Sequence, residues 1–295
     1  MFSNLLIGVD GLDGGRDAIA LGRKLVGSGG ALTLAHVYDV HGGRSRAAQA
    51  AARAGGIVQK ARLEADLDAD VRPIRSAAAG NGLHALADEI GADLIVVGAS
   101  RRGLKGRRVL ADHTREALDG ASCALAVAPS GYGKRSGPLR TIGLGYDGSE
   151  ESAHALAVAR ALAAQHDAQL SALDVVQLPA YVGAVYVSDP ERTPIDELVE
   201  EAQDRLAALG GLVAHAVYGD PAGELAEFGA SVDLLVVGSR SFGPLRRLVY
   251  GSTSRRLVQV ARCPLLVLTR AAKDSLAAPI GPGDAGRPAR AGHQG

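Results

Sequence analysis

The chain carries one pattern of about 130 residues twice, and an internal repeat of this kind constrains the architecture more than any single motif. Leu94–Arg101 of the first copy reads LIVVGASR, and Leu234–Ser241 of the second reads LLVVGSRS, 140 positions later. The register continues without a gap, so that Cys123 matches Cys263. The differences between the two copies therefore indicate where a ligand could bind.

The length of 295 residues allows two ordinary domains, each with its own core. We expect one domain over residues 1–130 and a second over residues 140–270. Residues 130–139 form a glycine-rich linker between them. The tail over residues 271–295 is rich in Pro, Gly and Ala, and this composition predicts disorder.

Each copy alternates short apolar runs with amphipathic stretches. Continuous apolar runs such as Leu234–Val237 suit strands that are buried on both faces. Strands that alternate with helices predict an α/β fold, a parallel sheet with helices on both faces. The expected strands lie near residues 4–9, 31–38, 70–77, 93–98 and 124–128, and near 142–146, 168–176, 212–218, 233–238 and 264–269. Ser149 is expected to cap a helix, and Pro221 to begin one.

Composition excludes several classes of protein. The formal net charge is zero, which argues against nucleic acid as a partner. No apolar run reaches the length of a membrane span, so no membrane partner is expected. Two cysteines at equivalent positions beside apolar strands predict buried, reduced thiols in a cytoplasmic protein.

The second copy contains the elements of an anion site. A strand ends at Gly238, a loop follows, and Gly251 with Ser252, Thr253 and Ser254 begins a helix. Glycines allow backbone amides to approach a phosphate, and a helix start presents unpaired N–H groups with partial positive charge. The serine hydroxyls can donate hydrogen bonds as well.

These residues resemble the universal stress protein family. That family's nucleotide signature is Gly, two residues, Gly, nine residues, Gly, then Ser or Thr. This chain has Gly238, Ser241, Gly251 and Ser252 at those positions, so a serine replaces the second glycine. Because serine at positive φ is strained, we expect weak binding that its hydroxyl partly restores. The resemblance covers about residues 1–129 and 140–270.

The resemblance implies the finer features of fold and site. Each domain would be doubly wound, with five parallel strands in the order 3-2-1-4-5. The closing strands Ala124–Ala128 and Pro264–Leu268 would pair about a pseudo-two-fold axis, which makes the chain a covalent dimer. Asp147 would lie on the adenine and ribose side, and Val175 would contact the adenine. The ligand would be ATP or a related adenine nucleotide, with or without Mg²⁺.

The first copy departs from the signature. It retains Gly98, and Asp10 and Val37 match Asp147 and Val175. Its phosphate loop, however, has arginine at position 101 in place of glycine, and Ala111–Asp112 in place of Gly–Ser. The carboxylate of Asp112 would repel phosphates, or it would cap its own helix as a bound phosphate would. We therefore expect a nucleotide in the second domain only.

Four other patterns favour simpler interpretations or stay open. Residues 143–148 read G-x-G-x-x-G, but two of these glycines lie inside a predicted strand, which argues against a dinucleotide fingerprint. The Gly–Lys pair in the linker leads into a strand and is no P-loop. Five cations over residues 101–108 form a solvated loop more readily than a polyanion site. The loop over residues 178–194 is either a lid or an insertion.

The sequence contains no constellation of catalytic residues and no spacing typical of metal ligands. We expect a cytoplasmic stress-response protein that binds a nucleotide and catalyses at most slow ATP hydrolysis. The first domain would be a structural and regulatory partner, and a homodimer of whole chains stays open. The alternative is a nucleotide-free scaffold that acts through protein–protein contacts.

Overall fold

The computed structural model of the chain describes residues 2–40, 44–99, 121–135, 137–177, 194–239 and 252–268. Several predictions concern residues outside these ranges. They are the first copy's loop with Arg101 and Asp112, the cationic run 101–108, the loop over 178–193, Ser241, Gly251 and the tail.

The described residues contain ten strands, eight α-helices and one 3-10 helix, Gly229–Ser231. The first half contains β1 (Phe2–Gly8), α1 (Asp13–Leu25), β2 (Val26–Tyr38), α2 (Arg44–Glu64), β3 (Asp70–Arg75), α3 (Ala79–Ile90), β4 (Leu94–Gly98) and β5 (Ala124–Ala128). A short helix, α4 (Tyr132–Arg135), lies in the linker. The second half contains β6 (Thr141–Gly145), α5 (Glu150–His166), β7 (Gln169–Val176), α6 (Pro194–Ala207), β8 (Val213–Tyr218), α7 (Pro221–Phe228), β9 (Leu234–Gly238), α8 (Ser252–Val260) and β10 (Leu265–Leu268).

All ten strands belong to one sheet, in the order β3-β2-β1-β4-β5-β10-β9-β6-β7-β8. Within each half the strands are parallel and follow the order 3-2-1-4-5, as the family resemblance implies. The central strands β4 and β9 are buried along four consecutive residues each, which explains their uninterrupted apolar sequences.

The two halves join through β5 and β10, which pair antiparallel. Ala126 pairs with Leu266, its own equivalent 140 positions later, while Leu265 pairs with Val127 and Val267 with Leu125. A two-fold axis produces this reciprocal pairing, in which the central residue meets its own equivalent and the residues on either side meet each other's equivalents. The pseudo-two-fold axis therefore passes through the Ala126–Leu266 pair.

One strand differs in length from its prediction. β2 begins at Val26, directly after α1, rather than near residue 31. Phe2 pairs with Val26, and the pairing then shifts so that Asn4 meets Ala31. Gly29 takes a φ of 75° within this irregular stretch, a conformation that glycine adopts without strain. The prediction began this strand near residue 31, whereas the chain already forms a bulged strand from Val26.

An apolar layer covers each face of the sheet. Both layers contain residues of both halves, so that the hydrophobic core is continuous across the junction. One layer includes Leu21 of α1 and Leu162 of α5, and the other includes Leu86 of α3 and Leu257 of α8. Burial of these side chains is the main source of stability for both halves together.

The linker is attached to α1 rather than free. The backbone N–H groups of Gly131 and Gly133 each donate a hydrogen bond of 2.7 Å to the carboxylate of Asp17, which is 2% exposed. The ammonium group of Lys24 donates to the Tyr132 hydroxyl at 3.0 Å and lies 4.9 Å from the centre of its ring. These contacts fix the segment that connects the two halves.

Candidate functional site

A cavity of about 300 Å³ lies at the carboxyl ends of β6, β7 and β9, beside the start of α8. The chain runs from β6 outward to β7 and β8, and β9 then lies on the other side of β6. In open α/β sheets, ligands bind in the crevice where the strand order reverses in this way. The cavity therefore occupies the position that the fold favours for a ligand.

The structure places five of the eight predicted site residues around this cavity: Asp147, Val175, Gly238, Thr253 and Ser254. Ser252 begins α8, and Ser241 and Gly251 lie outside the described residues. Residues from four separate elements thus meet at one place, although the sequence separates them by more than 100 positions.

Asp147 is held by the helix that follows it. Its Oδ1 atom accepts hydrogen bonds from the Ser149 backbone N–H at 3.1 Å and from the Ser149 hydroxyl at 2.5 Å. Ser149 in turn caps α5, because its Oγ accepts from the Ser152 N–H at 3.2 Å, as predicted. The carboxylate is exposed and fixed at the rim of the cavity.

The cavity has an apolar wall and a polar side. Five apolar residues line it: Leu173, Val175, Leu225, Val237 and Leu257. All five belong to, or pack against, the apolar layer on that face of the sheet. The side chains of Thr253 and Ser254 lie on the polar side, and Ser254 is 5% exposed. An apolar wall beside a few polar groups is typical of small-molecule sites.

Asp174 points to the opposite face of the sheet from Val175, because side chains alternate along a strand. Its carboxylate is 4% exposed and accepts a hydrogen bond of 2.6 Å from the Arg205 guanidinium. Burial raises the pKa of Asp174, and the positive charge of Arg205 offsets this only in part. The negative charge of Asp147 raises the pKa of Asp174 further.

This geometry argues against the dinucleotide fingerprint. Gly143 and Gly145 lie inside β6, where α7 packs against them. A Cβ at Gly143 would come within 2.8 Å of the Phe228 ring, and one at Gly145 within 3.0 Å of Leu225. Both glycines serve helix–sheet packing rather than a pyrophosphate. Asp174, the only acid on β7, is already paired with Arg205.

Gly238 also has a packing reason that the sequence does not reveal. A Cβ there would approach the backbone carbonyl of Glu151 to 2.6 Å, so glycine lets α5 begin directly against the end of β9. Its equivalent Gly98 lies in the same relation to the backbone of Gly14. The glycine thus persists in the first copy for a reason unrelated to phosphate.

The first half uses its matching residues for structure. The Oδ1 atom of Asp10 accepts hydrogen bonds from the backbone N–H groups of Leu12 at 2.8 Å and Gly15 at 2.9 Å. Val37 packs against the apolar layer, next to the start of α3 at Gly82. Asp10 therefore orders the start of α1 much as Asp147 and Ser149 order the start of α5.

Comparison with known proteins decides the family. The universal stress protein family model matches residues 1–129 and 138–269. The chain belongs to the universal stress protein family. Its two matched segments correspond to the two halves of the sheet, so the family occurs here as a tandem pair.

Relatives of this universal stress protein match either one half or both. A universal stress protein of Thermus aquaticus is 33% identical over 136 residues, covering 44% of this chain and 98% of that protein. Universal stress protein YxiE of Bacillus subtilis is 36% identical over 142 residues, covering 41% of this chain and 93% of that protein. A crystal structure of a universal stress protein from Archaeoglobus fulgidus covers 90% of this chain and 98% of its own, with a TM-score of 0.64 at 15% identity. That last likeness concerns the fold alone.

Sequence reasoning missed several residues that line the cavity of this universal stress protein. Tyr146 follows β6, Gln177 follows β7, and Pro221 begins α7. These positions at the ends of strands and at the start of a helix could have indicated that the residues line the site. Ser239 follows Gly238 and does not itself line the cavity, but its buried hydroxyl has no hydrogen-bond partner among the described residues. Nothing in the sequence distinguishes that hydroxyl from an ordinary loop serine.

The described residues of this universal stress protein contain neither a membrane-spanning helix nor a metal-binding cluster. No described helix is long and apolar enough to cross a membrane. Within the same residues, no group of three or more His, Cys, Asp and Glu side chains is arranged to hold a metal ion.

Proposed function

We propose that the second half of the chain binds ATP or a related adenine nucleotide, with or without Mg²⁺, and that the first half is its structural and regulatory partner. One observation carries this proposal. Asp147, Val175, Gly238, Thr253 and Ser254 surround a single cavity at the point where the strand order reverses. The apolar wall suits a flat base, and the start of α8 suits phosphates.

The volume of the cavity agrees with a nucleotide base and sugar. At about 300 Å³ it is at the small end of the range of ligand pockets, roughly 300–1,000 Å³. Phosphates would extend toward the α8 N-terminus, where Thr253 and Ser254 offer hydroxyls and the helix dipole favours negative charge. Asp147 at the rim would accept hydrogen bonds from ribose hydroxyls.

A substitution that copies the first half into the second tests the proposal. Position 252 is the equivalent of Asp112, and aspartate suits the start of a helix, so Ser252→Asp should fold. At about 4 Å and an effective dielectric near 20, a like-charge pair costs on the order of 4 kcal/mol. Ser252→Asp should therefore weaken ATP binding roughly a thousandfold, measured by titration calorimetry.

The matched control is Ser252→Asn, which has the same shape without the charge and should stay within about tenfold of the unsubstituted chain. The unsubstituted chain should bind at most one ATP. Two equal sites, or equal affinity in the Asp and Asn variants, would contradict the proposal. Mass spectrometry of the purified protein separates this function from the alternative of a nucleotide-free scaffold, which would carry no nucleotide and bind none.

A further inference from the structure

A second cavity, larger than the candidate nucleotide site, lies in the first half of the chain. No residue lines both cavities. The second cavity has a volume of about 730 Å³ and lies between α1, α2 and the linker, with Gly131, Gly133 and Lys134 as its linker wall. We call it the linker groove. Its volume falls within the range of small-molecule pockets, roughly 300–1,000 Å³. It exists in this form because Asp17 holds the linker against α1.

The linker groove has an apolar surface formed by two facing helices. Leu12 and Ala20 line it from the α1 side, and Ile57 and Ala61 line it from α2. Ile57 and Ala61 are four positions apart and so lie on one helical face. Leu12 is 54% exposed, and few large apolar side chains among the described residues are as exposed. The groove thus offers apolar surface that the described chain leaves accessible to solvent.

Positive charge is in excess around this surface. Five basic and three acidic side chains line the linker groove, which leaves a difference of two positive charges: Arg16, Arg23, Lys24, Lys60 and Lys134 against Asp13, Asp17 and Glu64. Each acid already has partners. Glu64 pairs with Arg16 at 3.2 Å and Lys60 at 3.7 Å, Asp13 pairs with Arg16 and Lys134, and Asp17 accepts the linker amides.

Arg23 and Lys24 account for the excess. Arg23 donates to the Ala65 carbonyl at 3.1 Å, and Lys24 donates to the Tyr132 hydroxyl and the Gly137 carbonyl. Among the described residues, neither has a carboxylate within ion-pair distance. Partial burial lowers the pKa of Lys24, and the negative charge of Asp233 offsets this only in part. An anion placed beside both would neutralise them.

The second half retains only part of this positive charge. α5 is the equivalent of α1 with an offset of 137 positions, and Arg160 donates to the carbonyls of Leu209 and Gly210 as Arg23 does to Ala65. That bond is therefore structural in both halves. The equivalents of Arg16 and Lys24, however, are alanines, Ala153 and Ala161. Within the described helices, the basic pair of Arg16 and Lys24 therefore distinguishes α1 from α5.

We propose that the linker groove binds a small organic anion with a flat apolar body. The apolar part would lie along Ala20, Ile57 and Ala61, and a carboxylate or sulfonate would lie near Arg23 and Lys24. The bound molecule would contact the segment that joins the two halves, and so would stabilise the docked linker. This site is separate from the proposed nucleotide site and does not depend on it.

The test uses the full chain and two probes that share their rings. Anilinonaphthalene sulfonate supplies an anionic group on an aromatic body, and phenylnaphthylamine has the same rings without the sulfonate. We expect saturable binding of the anionic probe, one per chain by calorimetry and fluorescence, at least about tenfold tighter than the neutral probe. This preference should decrease with added salt, since exposed charges are screened.

A pair of matched variants locates the probe. Ala20→Trp fills the linker groove, whereas Ala157→Trp places the same residue at the equivalent position of α5. Ala20→Trp should weaken binding of the anionic probe at least about tenfold, and Ala157→Trp should leave it unchanged. Ala61→Phe blocks the groove from the facing helix, and it replaces Ala20→Trp if that variant unfolds at a lower temperature.

Three results would overturn the proposal. They are equal affinity for both probes, full binding in the two groove variants, and displacement of the probe by ATP in stoichiometric amounts. The last result would place the probe in the nucleotide cavity. If ATP does not bind at all and the groove variants still lose the probe, the anion site in the linker groove is supported, whereas the proposed nucleotide function is wrong.

Discussion

At the residue scale, the two cysteines occupy equivalent positions of the repeat, and both are buried with the same raised pKa. Cys123 and Cys263 are both free, 3% and 7% exposed, and burial raises the pKa of each thiol to about 12. At pH 8 only about one thiol in ten thousand would be ionised, and the thiolate is the reactive form. We expect neither to react with Ellman's reagent in the folded protein, and both to react in denaturant. Rapid labelling of either one under native conditions would contradict their burial.

Asp174 should make stability depend on pH in an unusual direction. Because burial raises its pKa above the ordinary value of 3.8, the folded state binds this proton more readily than the unfolded state. The carboxyl group therefore favours folding when protonated, and its contribution is lost as the pH rises through the raised pKa. Asp174→Asn keeps an oxygen that can accept from Arg205, and should be at least as stable as the unsubstituted chain at pH 7.

This advantage of Asp174→Asn should shrink between pH 7 and an acidic pH, because Asp174, with its raised pKa, takes up a proton on acidification. Denaturant titrations at both pH values measure the difference in the free energy of unfolding. Asp204→Asn is the control, since Asp204 lies exposed on the same helix as Arg205. A difference that grows on acidification would show that the Arg205 ion pair outweighs burial.

Single residues also show where sequence reasoning is sufficient and where it fails. The Ser149 cap follows from local sequence, because a serine before two glutamates favours a helix start whatever surrounds it. The packing role of Gly238 does not, because it depends on the backbone of Glu151, which belongs to another element. The sequence links that glycine to phosphate alone. Its shared role with Gly98 emerges only when strand and helix are seen together.

At the scale of elements, the linker is where the sequence pattern was least informative. The glycine-rich stretch predicts a linker, but nothing in it indicates that its amides bind Asp17, which lies 114 positions before Gly131. Local composition cannot indicate a partner at that distance. The strands β4 and β9 are the opposite case, because their apolar runs report burial directly.

Asp17→Asn should loosen the linker. The side-chain amide of Asn can accept a hydrogen bond from only one of the two backbone N–H groups, those of Gly131 and Gly133. Its own NH₂ group would face the other N–H, so that one hydrogen bond is lost. Hydrogen bonds to a charged group contribute about 1.5–3 kcal/mol, so the linker should detach roughly ten- to a hundredfold more often. Trypsin under native conditions should then cleave after Lys134 or Arg135 correspondingly faster.

Glu64→Gln is the control for that experiment, because Glu64 lies in the same groove and touches no linker residue among its described partners. Its cleavage rate should match that of the unsubstituted chain. Equal rates in Asp17→Asn would mean that the two amides do not hold the linker in place.

At the scale of the whole molecule, the repeat predicted two domains, and the structure joins them in one sheet. Without the other half, β5 and β10 would each be the exposed edge strand of their own half. An exposed edge strand with an apolar sequence is prone to aggregation. Their antiparallel pairing removes both edges. The sequence could predict this pairing from the family resemblance, but not the continuity of the two apolar layers. Nor could it predict that α1 and α5 meet at their carboxyl ends, where Nε2 of His166 lies 2.8 Å from the Lys24 carbonyl oxygen.

This continuity predicts that the two halves unfold together. Each half contains one buried cysteine next to its closing strand, so thiol labelling at increasing denaturant reports on each half separately. Leu34 in β2 is 0% exposed, and Leu34→Ala should cost about 2–5 kcal/mol of stability by leaving a cavity in the first half. Because the apolar layer containing Leu34 extends into the second half, both halves should lose this stability together.

In the unsubstituted chain, Cys123 and Cys263 should become reactive at the same denaturant concentration. In Leu34→Ala both should become reactive at the same lower concentration, and peptide mass spectrometry identifies which cysteine is labelled. If only Cys123 shifts while Cys263 keeps its original midpoint, the halves are independent domains, and the shared sheet does not couple their folding.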